Sequence, residues 1–580
     1  MDKSQEFKNL IHDTRERVNL DDEQTRVLNQ YDKYYESLNR ELQTFSAAIG
    51  EKEAPEKADY RALYDILQRN TDRELKDFDE LFAAFEENPT QTNLTKEELY
   101  DWGLKLSGFS PRVPGTYSMD RTNAWLKEKL ESFGLDVWTE PINFHGVFFH
   151  EWSFAVTSPV SKRYAVFPQN NVGFGDISAE LVDIGKGFEE DYIGKDVEGK
   201  ILLMNWGLFY SHEGPCAARE RYTLLRLYDI AYAHHAGGII GYFEDTPGNT
   251  FRLLEPGIKP IGGSNVWGPA EVGSDRQYKV PVLSIGRSDA AELRLLLAGG
   301  YTEAHMVIRG VRKVSTTNIL IGLLPGTGEK AIAAGAHTCT AFEGAGCDTN
   351  GVVCALAMAK HFSAVPVEKR KKSLLFFFDS FHVWGNCCQS AITILNRYRT
   401  LSENIEAMIW LDHIGNGQAD TIHTTTVSDN PVLWPEAAFS QFKYNIAPYV
   451  LPTAGIWSIC ATGAFQRTGI PTVTVQDMDD NLLTPEDTWD KYDPEIVYRD
   501  IMAHVDLTDA LLKLDVPADV PAEPFGGCGS LFTDVSQPAY PAGESYAPEP
   551  DYPLYVGGCD TPVRIVERTN MKTGGKDGPT

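Results

Sequence analysis

Three short stretches of this chain concentrate side chains that can bind a metal or carry a proton. Residues 334–354, AGAHTCTAFEGAGCDTNGVVC, hold His337, Cys339, Cys347 and Asp348. SLLFFFDSFH carries Asp379 and His382, and IWLDHIG carries Asp412 beside His413. Imidazole nitrogen, carboxylate oxygen and thiolate sulfur are the donors that zinc takes from proteins. Any one of these residues alone would read as a hydrogen-bonded structural group. Their weight comes from position, because each set closes an apolar run of strand length.

Those runs are the elements that must place the chemistry. The segments TNILIGLL, AIAAGAH, SLLFFFD, EAMIWLD and PTVTVQD read as strands, and VVCALAMAKHF as a helix. Their alternation predicts an α/β fold, a mixed sheet flanked by helices. Ligands of such sheets collect outside the carboxyl ends of the strands. His337, Asp379 with His382, and Asp412 with His413 are therefore expected to face one crevice. The sequence has no G-x-S-x-G elbow and no Gly-rich nucleotide loop, since Gly326-Thr327-Gly328 falls in a strand-to-strand turn.

The length, 580 residues, exceeds one ordinary domain, and 42% apolar with 11% aromatic residues can build large cores. The formal charge of −29 disfavours nucleic acid and anionic membranes as partners. No apolar run reaches the roughly 18 residues of a membrane span. The start, MDKSQEFKNLIHDTRERV, lacks the apolar stretch of a secretory signal. The nine cysteines form no CxxC pair, which predicts reduced thiols in a cytoplasmic protein.

Residues 1–108 read as helices, with Thr95 and Glu98 as a capping box, and suit a cap over a site or a dimerisation arm. Residues 109–145 give a loop, an amphipathic helix (TNAWLKEKLESF) and a strand (LDVWTEPINF). Residues 146–311 change to short strands with Gly, Pro and Asn turns and two helices, a β-rich insert. His234 and His235 close one of those helices, where the helix dipole favours them. The core resumes over 312–515, and the Pro- and Gly-rich residues 516–580 read as an extended tail.

Six stretches, in order and spacing, resemble a known family. They are SPRVPGTYSMDRTNAWLKEKLESFGLDVWTEP, STTNILIGLLPGTGEKAIAAGAHTC, SLLFFFDSFHVWG, IWLDHIGNG, GAFQRTGIPTVTV and LLTPEDTWDKYD. They look like the zinc aminopeptidase family that includes bacterial leucyl aminopeptidases, glutamate carboxypeptidase and glutaminyl cyclase. Residues 146–311 resemble the protease-associated domain common in that family. The resemblance implies a zinc-peptidase-like core with a pair of zinc ions bridged by a carboxylate, and a Glu as general base. Carried onto this sequence, the first ligand His falls on His337 and the Asp of the later strand on Asp412. The bridging Asp falls on Cys347 without a gap, or on Asp348 with a one-residue shift. The base Glu falls on Phe381, the ligand Glu on His382 and the last ligand His on Leu483. Cys339 stands where an Asp supports the first His, and Ala461 and Thr462 stand where an Asp-His pair precedes the x-x-F passage.

Phe381 takes no proton and Leu483 binds no metal. The remaining His337, Asp348, His382 and Asp412 are expected to hold one divalent metal, zinc first, with iron, nickel or copper as alternatives. His382 is the expected acid or base and Cys347 the expected nucleophile of a metal-free Cys/His site. The expected function is a divergent aminopeptidase-like enzyme with a rebuilt site. Its substrate would be an amide, a peptide-like or another small polar molecule, and it would form a homodimer. Two other readings stand beside it. One is a conventional metal-dependent aminopeptidase with Glu343 or Asp379 as base. The other is a non-catalytic binding or scaffold protein on the same fold.

Overall fold

The computed structural model describes residue 40 and residues 92–519, apart from 170–171, 208–226, 247, 254–278, 385–388, 416–421, 429, 445, 447–449, 454–460 and 479–480. The helices expected before residue 92, the tail beyond 519, and Cys387 and Cys388 lie outside the described residues.

The first described helix, α1 (Lys96–Ser107), starts at Thr95, whose hydroxyl accepts the Glu98 N–H. The Glu98 carboxylate pairs with Lys360. Next in order come α2 (Tyr117–Ser132), β1 (Asp136–Ser158), β2 (Lys162–Tyr164), β3 (Val166–Pro168), β4 (Gly175–Gly185), β5 (Ile201–Asn205), β6 (Gly238–Tyr242), β7 (Val282–Ile285), α3 (Arg287–Ala298) and β8 (Glu303–Leu324). The second half holds β9 (Ala331–His337), α4 (Asn350–Ser363), β10 (Ser373–Asp379), α5 (Gln389–Arg397), β11 (Ile405–Asp412) and β12 (Ile422–Ser428). It ends with α6 (Leu433–Lys443), β13 (Val450–Thr453), α7 (Ala461–Gln466), β14 (Thr472–Met478) and α8 (Pro494–Leu511).

The strands form one mixed sheet in the order β13-β12-β14-β11-β9-β10-β8-β4-β5-β6-β7-β3, with β1 running along β8. At its centre β10, β9, β11 and β14 are parallel. Their apolar runs follow from burial on both faces, the rule for parallel strands under helices. β9 and β10 occupy the segments read from sequence, and β11 and β14 agree to within one residue. Helix α4 covers the site-forming strands. Every residue from Asn350 to Ala359 is buried. Its start presses so close to β11 that a Cβ on Gly351 would lie 2.4 Å from the Leu411 carbonyl oxygen.

β8 begins well before the TNILIGLL segment. It pairs with β1 from Asp136↔Leu323 to Ser158↔Glu303. This antiparallel ribbon runs unbroken past residues 145 and 311, where composition marked the edges of the insert. The ribbon carries β4 on one stretch of β8 and β10 on another. Residues of the 146–311 segment also touch core loops: Phe167 meets Phe342 edge-on at 4.8 Å, and the Leu253 N–H donates to the Leu483 carbonyl at 2.9 Å. His234 stacks on Tyr192 and pairs with Glu189 at 3.0 Å. Among the described residues, no helix is long and apolar enough to cross a membrane.

Candidate metal centre

Parallel register brings the strand ends together. His337 closes β9 level with Asp379 on β10, and Asp412 closes β11 on the other side of β9. Among described residues, His337, Cys347 and His413 form one compact donor group, and His337, His382 and Asp412 another. Within each group the ligand atoms lie within 4.8 Å of one another, and every residue is buried.

Backbone partners set how His337 presents itself. Its Nδ1 lies 3.1 Å from the Cys339 carbonyl, which can only accept, so Nδ1 carries the proton. The free face, Nε2, then points at the Cys347 sulfur at 3.7 Å and at Asp412 Oδ1 at 3.4 Å. His413 Nε2 is 3.0 Å from the same Asp412 oxygen. The other Asp412 oxygen accepts from Trp410 Nε1 at 3.1 Å and lies 3.9 Å from His382 Nε2. The His382 ring lies parallel to His337, with centroids 4.3 Å apart, and also stacks on Trp410.

The loop between β9 and α4 offers two candidates, and the structure uses them differently. Cys347 turns its sulfur to His337. The Asp348 carboxylate turns to backbone instead, accepting the N–H groups of His337, Gly351 and His413, each at 3.1 Å. Asp348 thus joins the end of β9, the start of α4 and the residue after β11. It is absent from both donor groups. His413, which is not among the four ligands expected from the sequence, joins one of them. Its signal is its place directly after Asp412 at a strand end.

The charges are coupled. Burial alone would lower His337, but Cys347, Asp348 and the hydrogen bond to Asp412 outweigh it and hold the imidazole well above its ordinary range. For His413 burial is likewise outweighed, chiefly by Asp412 and Cys347. Burial would raise Asp412, yet His413 and His337 hold it well below the usual carboxylate range. Burial pushes Asp348 up to about 7.

The positions that the resemblance assigned to the base and the last ligand are filled with hydrocarbon. Phe381 is fully buried against Phe144, with ring centroids 4.8 Å apart. Leu483 is buried too. The acids considered as substitute bases are engaged elsewhere. Glu343 accepts the Trp489 N–H at 2.8 Å, and Asp379 accepts the Phe381 N–H at 2.7 Å and the Ser390 hydroxyl at 2.8 Å.

The donor chemistry fits a divalent metal. Donors around a four-coordinate zinc stand roughly 3.3–3.8 Å apart, given bonds of about 2.0–2.3 Å. The separations of His337 Nε2 from Cys347 sulfur and Asp412 oxygen, 3.7 and 3.4 Å, fall in that range.

No protein-family model matches the chain, and no curated protein does. Solved structures do. A peptidase M28 precursor from Shewanella amazonensis matches with a TM-score of 0.61 at 16% identity, over 77% of this chain and 99% of its own. A zinc aminopeptidase from Bacillus subtilis matches with a TM-score of 0.55 at 16% identity, over 76% of this chain and 100% of its own. The chain therefore has the mixed α/β fold of the M28 zinc aminopeptidases, with a divergent cluster of histidine, cysteine and aspartate where its central strands end.

Proposed function

We propose that this cluster holds one divalent metal, zinc first, and that the protein is a divergent aminopeptidase-like enzyme acting on an amide, a peptide-like or another small polar substrate. The observation that carries the reading is the pair of donor groups that share His337 at the ends of parallel strands. His337, Cys347, His413 and Asp412 would hold the ion, and His382 stands at the edge of the set. Bound there, the metal would supply a Lewis acid that polarises a substrate carbonyl.

The chain's own residues would do the rest. The Cys339 carbonyl fixes the His337 tautomer, and Trp410 orients Asp412. His382 and His413 are the least completely buried members of the donor groups, at 6% and 8% exposed. His382 is the group best placed to pass a proton, since neither Phe381 nor Leu483 can. The acidic surface suits a small polar substrate better than nucleic acid. Among the described residues Cys339, Cys347 and Cys354 are buried and in no disulfide, which accords with a cytoplasmic setting. We read residues 146–311 as a protease-associated-like insert that covers the Leu483 loop.

Metal analysis of the purified protein tests the proposal. About one equivalent per chain is expected, lost in His337→Ala and in Asp412→Ala. Two equivalents with aminopeptidase turnover would favour a conventional enzyme instead.

One observation favours a second reading. The Cys347 sulfur faces His337 Nε2 at 3.7 Å while Nδ1 is anchored to a carbonyl, the arrangement of a thiol activated by an imidazole. Selective alkylation of Cys347 in metal-free protein would support it. A protein with neither metal nor reactive thiol would be a binding or scaffold protein.

A further inference from the structure

Asp487 lies in the loop four residues after Leu483, is 1% exposed, and has no part in either donor group. Its Oδ1 accepts the Gly346 N–H at 2.7 Å and its Oδ2 the Cys347 N–H at 3.1 Å. The Tyr492 hydroxyl donates to Oδ1 at 3.1 Å. The Asp487 carbonyl accepts the Ala345 N–H at 3.3 Å. Three consecutive backbone N–H groups ahead of and at Cys347 thus converge on one residue. The approach leaves no room for a side chain: a Cβ on Gly346 would lie 2.1 Å from the Tyr492 hydroxyl.

We infer that Asp487 is the positioning residue for Cys347. Its carboxylate holds the 345–347 backbone so that the thiol faces His337 and the next carboxylate, Asp348, faces the backbone. In the family that the sequence resembles, this loop would deliver a ligand at Leu483. Here Leu483 offers no donor, while Asp487 of the same loop holds the backbone before Cys347. A buried carboxylate is suited to the task because each oxygen can take a separate N–H. An amide of the same shape has one acceptor oxygen, and its NH2 group would oppose the second N–H donor to donor.

The inference rests on the metal reading above, and cobalt(II) titration separates the failure of one from the failure of the other. Full-length wild type, Asp487→Asn, Tyr492→Phe and Asn430→Ala are compared for cobalt affinity, for the sulfur-to-cobalt charge-transfer band and for Tm. Asn430 is a control, since its buried oxygen caps α6 by accepting the Val432 and Leu433 N–H groups. Asp487→Asn is expected to bind cobalt about 10-fold more weakly, with a diminished sulfur band, as outer supporting groups do when removed. Tyr492→Phe is expected to lose less in the same direction, and it carries the test should Asp487→Asn not fold. Asn430→Ala is expected to lose Tm and to keep both affinity and band. Unchanged cobalt binding in Asp487→Asn, or a loss in Asn430→Ala that tracks Tm equally, would overturn the assignment. Wild type that binds no cobalt would overturn the metal reading and this assignment with it.

Discussion

His413 sits at φ 57°, in the left-handed region that a branched or bulky side chain enters only at a cost. The conformation turns the chain sharply after β11 and brings Nε2 back to Asp412, its own neighbour. Asp348 offsets part of the cost by accepting the His413 N–H. Strain held at a candidate ligand is a sign that the surrounding structure over-determines its position. Replacing the imidazole two ways isolates the strain. His413→Gly should be more stable than His413→Ala by roughly 1 kcal/mol, since both lose the ring and only glycine accepts the φ. Urea unfolding of the two variants checks this, and equal stabilities would mean the backbone relaxes. Leu483 shares the same strain at φ 58° with no polar group to show for it.

At the scale of elements, α8 packs on α4 and so supports the helix that opens at Asn350, just after Asp348. Within α8, His504 is fully buried, and its Nδ1 meets the Asp500 carbonyl at 2.6 Å. Burial pushes His504 down to about 4 from an ordinary value of 6.5. The sign follows directly. Above about pH 6.5 both folded and unfolded chains leave the ring neutral. Between there and about pH 4 only the unfolded chain takes the proton, so stability falls as pH falls and then levels off. The loss over that window is about 3 kcal/mol. Urea unfolding at pH 7.5, 5.5 and 4.0 should show a shallower slope in His504→Leu than in wild type. Equal slopes would mean that His504 is protonated in the folded state. On the other side of the site, Arg112 is buried among neutral acceptors, donating to Thr338 and Leu106 carbonyls and to Ser110 and Thr349 hydroxyls. It ties the loop after β9 to the start of α4 from behind.

For the whole molecule, the β1–β8 ribbon is the decisive feature. It is paired from Asp136 to Ser158 with register shifts at Phe149/Glu151 and Val156/Ser158, and its two ends belong to the two halves of the sheet. One apolar cluster spans both halves, from Phe167 and Phe251 through Phe342 to Phe381. The described residues should therefore unfold in a single transition seen alike by far-UV circular dichroism and tryptophan fluorescence. Two resolved transitions would mean that the 146–311 segment unfolds apart from the core. Composition marked edges at 145 and 311 because turn residues become dense between them. It could not register that two strands pass straight through those edges, since pairing over that distance leaves no local mark.

The four parallel core strands β9, β10, β11 and β14 and the convergence of His337, His382 and Asp412 were legible in the sequence, because buried parallel strands need long apolar runs and polar residues closing several such runs stand out; β12, β13 and the early start of β8 were not. Which member of Cys347-Asp348 faces the cluster was not. That depends on Asp487 taking the N–H groups of Gly346 and Cys347 and on three backbone N–H groups claiming the Asp348 carboxylate. The addition of His413 depends on a left-handed turn that no local pattern in the sequence marks. Residue types and periodicity determined the sheet and the kind of donor at each strand end. Only tertiary contacts decided which donors meet, because side-chain direction in a loop is set by hydrogen bonds from segments far away in the chain.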